Sequence, residues 1–83
     1  MVHYRSITLL RQFERLYTLC ELELVTNKDF QDLINNIYEN GYILKSEVTN
    51  LNNAIESGLV LDELAMIETL IENDIKANLW DRW

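Results

Sequence analysis

The sequence predicts an all-α fold: four short-to-medium helices, at about 4–22, 27–40, 46–57 and 62–80, joined by tight glycine and capping turns. Two observations carry most of that expectation. No proline occurs among the 83 residues, so no ring forces a helix to break. Apolar residues recur at i, i+3, i+4 spacing, the period of one helix face, and not in the alternation of a strand. A third observation sets the joints. Glu39-Asn40-Gly41-Tyr42-Ile43-Leu44-Lys45-Ser46 and Glu56-Ser57-Gly58-Leu59-Val60-Leu61-Asp62 read alike: a helix end, a glycine, apolar residues and a polar cap.

The first helix carries a stripe of Leu9, Leu10, Phe13, Leu16, Tyr17 and Cys20 that extends to Leu24. Arg11 and Arg15 lie four apart and share another face. The second helix is strongly amphipathic, with Phe30, Leu33, Ile34, Ile37 and Tyr38 on one side, and should pack by that side alone. The third, with Val48, Leu51, Ala54 and Ile55, is the weakest. Its Thr49, Asn50, Asn52 and Asn53 favour local bonds to backbone over helix, so its neighbours must hold it. The fourth is the strongest: Leu64, Ile67, Ile71 and Ile75 form its stripe, and Met66 and Leu70 widen the apolar arc. An arc that wide implies a further contact, here expected with another subunit.

Helix ends leave carbonyls unpaired, and a left-handed residue just beyond lets the following N–H groups cap them. Gly41 and Gly58, the only glycines, suit that position because they lack a Cβ. Tyr42 and Leu59 are placed to fold back on the preceding turn. Ser46 and Asp62 are the expected N-caps of the third and fourth helices. The Glu23–Phe30 segment has the same shape without glycine, with Thr26 and Asp29 as an imperfect capping box. These junctions resemble those of the short helical-hairpin, SHOCT-like modules that end many bacterial proteins. The likeness covers the junctions alone and implies no function.

One domain, 1–83, is expected from the length, with a small core that self-association would support. The domain should be a compact bundle, or an open zigzag completed by a second copy. Net charge is −7. The first twenty residues are nevertheless net basic, with Arg5, Arg11 and Arg15 against Glu14, and the other acids lie beyond them. Such a balance disfavours nucleic acid and anionic membranes and draws basic partners by long-range attraction. No apolar run approaches the length needed to cross a bilayer, no signal-peptide pattern opens the sequence, and Cys20 stands alone. A reducing, cytoplasmic setting is therefore the expectation.

Chemistry is sparse. His3 is the single histidine, and neither a phosphate-binding glycine loop nor a metal-ligand motif is present. Glu68 and Glu72 have the i, i+4 spacing of helical di-metal sites but lack the Glu-x-x-His that completes them. No enzyme, cofactor or metal site is expected. The sequence reads instead as a small acidic protein-binding module, an inhibitor or modulator of a basic, nucleic-acid-handling protein, with a homodimer favoured. Its asparagine and isoleucine content suits an AT-rich bacterial or phage gene. The candidate partner-binding residues are Trp80, Arg82 and Trp83, since Trp and Arg dominate interfaces, with the acids Asp29, Asp32, Glu68 and Glu72. Trp80 could equally close the bundle as a lid. Two alternatives differ in class: an oligomeric binder of a small anion such as a nucleotide, using Arg5, Arg11 and Arg15, and a purely structural helical assembly protein.

Overall fold

The computed structural model describes the backbone of residues 4–80 and the side chains of residues 7–77. Four helices form there: α1 (Tyr4–Glu21), α2 (Asn27–Glu39), α3 (Lys45–Ser57) and α4 (Val60–Trp80). α1 packs on α2 and α4, and α3 packs on the same two helices. That closed ring is a compact bundle and not an open zigzag. It is flattened, with extents of 43 × 29 × 17 Å, and the shortest dimension fits two helix layers about 8–10 Å apart.

One cluster fills the space between the helices. Leu9, Phe13 and Leu16 of α1 meet Phe30, Leu33, Ile34 and Ile37 of α2. Ile43, Leu51, Val60, Leu64 and Ile71 close it from the other side. The stripes expected on α1, α2 and α4 thus supply the core. Leu24, Tyr38, Met66 and Leu70 are exposed. α3 buries Leu51 alone, and the Oδ1 atom of its Asn52 lies out of solvent without a hydrogen-bond partner. The helix weakest in propensity is held by its neighbours, with Val48, Ala54 and Ile55 partly buried against the core beside Leu51.

The joints explain why the chain turns where it does. Gly41 and Gly58 have φ of 83° and 81°, the left-handed conformation that favours glycine. After α2, Gly41 N donates to Tyr38 O and Tyr42 N to Ile37 O, at 3.0 and 3.3 Å, the two bonds of a Schellman motif. After α3, the N–H groups of Gly58 and Leu59 both reach Ala54 O. The third joint uses no glycine: Glu23 takes φ 58°, while Glu23 N donates to Cys20 O and Leu24 N to Leu19 O. The same motif therefore closes α1 with a glutamate in the strained position.

Two residues beyond each left-handed position, Val25, Ile43 and Val60 pack on or within the core. Of the two residues expected to fold back, Tyr42 does pack against the core and Leu59 does not. Tyr42 is half-buried and its Oη donates to Asp74 Oδ2 at 2.9 Å, whereas Leu59 remains 59% exposed.

The helix starts differ from expectation at two places. Thr26 does cap α2 in a reciprocal box: Asp29 N donates to Thr26 Oγ1, and Thr26 N donates to Asp29 Oδ2. Ser46 and Asp62, however, are not the caps of α3 and α4. α3 begins at Lys45 behind Leu44, whose N–H donates to Glu47 Oε1 at 3.2 Å. Leucine has no side-chain acceptor, so only this return half of a capping box exists. α4 begins at Val60, which places Asp62 and Glu63 in its first turn. There a carboxylate is favoured by the helix dipole without serving as the cap.

Candidate functional site

The acids singled out in the sequence fall on two flanks of α1. Asp29 and Asp32 line a recess of about 180 Å³ between α1 and α2, together with Gln12 and Arg15. Glu68 instead faces Tyr17 of α1 from α4. Positions 15 and 17 are separated by roughly 200° around a helix of 3.6 residues per turn, so the two acid pairs do not share a surface. Each pair also has local duties. The Asp29 pKa is lowered because Thr26 donates to it from both backbone and hydroxyl, and Arg15 adds attraction. Glu68 is raised by burial first, then by Glu72 and Glu14.

Of the arginines expected to serve an anion, Arg11 and Arg15 have side chains among the described residues. Both are exposed, and Arg15 sits beside Asp29 and Asp32, where an anion would meet two carboxylates. Arg5 lies in α1, but its side chain is outside the described residues, as is that of Trp80; Arg82 and Trp83 lie outside them altogether. Cys20 is half-buried with a free thiol. Burial, then Asp29, raises its pKa, the reverse of the shift that activates a thiolate. Among the described residues no three His, Cys, Asp or Glu side chains are grouped to hold a metal ion. No helix among them is long and apolar enough to cross a membrane.

The most distinctive surface lies between α3 and α4. A groove of about 400 Å³ runs there, with Leu51, Ile43 and Ile67 at its base. Met66 and Leu70 line it from α4 and stand 72% and 54% exposed. Two residues join α3 to α4, so the helices form a hairpin. Glu47 at the start of α3 and Glu63 at the start of α4 then fall at opposite ends of the groove. Tyr42 forms part of the wall, held by its bond to Asp74.

The sequence carried half of this site. Met66 and Leu70 were visible as an arc wider than one core contact needs. Tyr42, Glu47 and Glu63 were not, because only the packing of the α2–α3 joint on α4 brings them to the same place. Compared with family models, curated proteins and solved structures, the chain finds no match.

Proposed function

We propose that the chain is a small, non-enzymatic protein-binding module that acts by occupying a basic partner, and that the α3–α4 groove is its contact surface. The observation that carries this reading is the exposure of Met66 and Leu70 in a concave site. Apolar side chains one turn apart in a groove gain from burial, at roughly 25 cal/mol per Å² removed from water. A methionine suits such a contact, since its unbranched side chain adapts to different shapes. The acidic rim of Glu47 and Glu63 and the net charge of −7 favour a basic partner and speed its approach. A second copy would bring the same charge, so self-association through this face is the less favoured use of it. The reading includes a reducing, cytoplasmic setting, in keeping with the lone thiol.

Site-specific photo-crosslinking tests this in cells that express the chain. A photoreactive residue at position 66 should form a discrete adduct with a basic protein, and the same group at the exposed Asn35 on α2 should not. Equal labelling from both positions, or adducts of the chain with itself alone, would remove the reading.

A further inference from the structure

From the shape and charge of the same groove we infer that its occupant is an amphipathic, basic helix: apolar residues at i, i+3, i+4 and i+7 fill the groove, and Lys or Arg residues flank Glu47 and Glu63. This rests on the functional reading above and goes further in naming the recognition mode.

The dimensions select a helix. Along α4 the site runs from Glu63 to Leu70, seven residues or about 10 Å at 1.5 Å per residue. Two turns of a partner helix cover that length and present one apolar row to it. The base and walls are side chains of two helices and a joint, so the site offers no row of free backbone groups. An extended strand would find no ladder to join, since strand addition needs an open sheet edge.

The charges select its flanks. In the α3–α4 hairpin, Glu47 and Glu63 mark the two ends of the apolar floor, and both are exposed. Glu47 uses Oε1 for the Leu44 N–H, leaving its other oxygen to accept. A helix with cations about two turns apart meets both carboxylates while its apolar row fills the space between them. An acidic or neutral helix would lose that attraction and gain repulsion from the chain as a whole. A second copy of this chain has the wrong sign for the same reason.

The test uses the intact chain and synthetic Leu/Lys peptides of about 14 residues, roughly four helical turns. One peptide places its leucines at i, i+3, i+4 and i+7. A second has the same composition with the leucines spread around the helix, and a third replaces every lysine with glutamate. The first should bind saturably and the other two at least about tenfold more weakly. Met66→Glu and Leu70→Glu should each weaken the first peptide by about tenfold or more, and Asn35→Glu by about twofold at most. Equal binding of the permuted peptide would overturn the inference, because charge alone would explain it. Equal binding of the glutamate peptide would overturn the charge assignment. Should no peptide bind while position 66 still crosslinks a basic protein, the helix is wrong and the binding surface stands. Loss of both removes the surface itself.

Discussion

The Tyr17 hydroxyl of α1 and the Glu68 carboxyl of α4 face each other across the helix interface. The hydroxyl is out of solvent and closes no hydrogen bond of ordinary geometry, so the pair is a close approach without full alignment. Burial, then the Glu68 charge, pushes the Tyr17 pKa up to about 12. Glu68 is itself raised above 4.5 by burial and by Glu72 and Glu14, with the Tyr17 hydroxyl offsetting part of the shift. A raised carboxyl pKa means that ionisation opposes folding. That cost is present above the folded-state pKa and is relieved as pH falls through it towards 4.5. Through Glu68, the melting temperature should therefore rise as pH falls from neutral towards 4.5. Melting curves of the parent and of Glu68→Gln check this: the substitution should flatten the rise, and an unaltered slope would show that Glu68 does not carry it.

Glu23 holds a conformation that glycine holds at the other two joints. With φ at 58°, its Cβ crowds the backbone, and only the Schellman bonds around it keep the turn. Glu23→Gly should stabilise the domain by about 0.5–1 kcal/mol, the relief of that strain less the added freedom of the unfolded chain. Chemical denaturation measures it. A loss of stability would mean that the Glu23 side chain contributes more than its backbone costs.

The reverse substitution has the opposite sign. A Cβ added at Gly41 or Gly58 would meet no atom within 4 Å, so any cost comes from φ alone. Gly58→Val should therefore destabilise by at least about 1 kcal/mol, with Gly58→Ala somewhat milder. Unchanged midpoints for both would contradict the left-handed assignment.

At the start of α2, Thr26→Ala removes the cap acceptor and should cost about 1 kcal/mol. The Asp29 half of the box has its own pH signature. Its folded-state pKa is depressed below 3.8, so its contribution is complete above that value and is lost as pH falls through the folded pKa. Asp29→Asn should lower the melting temperature at neutral pH and converge on the parent in strong acid. A constant offset at every pH would rule out the charged cap.

Helix number and placement were legible in the sequence because the signals are local. The i, i+3, i+4 stripes of Phe13, Ile34 and Leu64, the two glycines and the Thr26–Asp29 box each act within one or two turns. The starts of α3 and α4 were placed late for a local reason too. Polar Ser46 and Asp62 look like caps, yet Leu44 precedes α3 and Leu59 precedes α4, and the acids serve from inside the first turn. What local patterns could not show was which charges meet. Arg15 and Asp29 are fourteen positions apart in sequence and become neighbours only when α1 packs on α2, which merges a supposed acidic site with a supposed basic one. The α3–α4 groove is a tertiary feature of the same kind: Met66 and Leu70 announced an unfilled face, and the packed α2–α3 joint gave it walls.

The central claim, that the α3–α4 groove is the surface a partner covers, is tested most directly by one titration. The protein captured through position 66 is purified and titrated against the parent and against Met66→Glu, with a melting curve recorded for each. Met66 is 72% exposed, so the substitution should leave stability within about 0.5 kcal/mol. Binding should weaken by about 2 kcal/mol or more, as at an interface hot spot. If Met66→Glu binds as tightly as the parent while Trp83→Ala or charge reversal at Asp32 and Glu72 releases the partner, the contact surface lies elsewhere and the account is wrong.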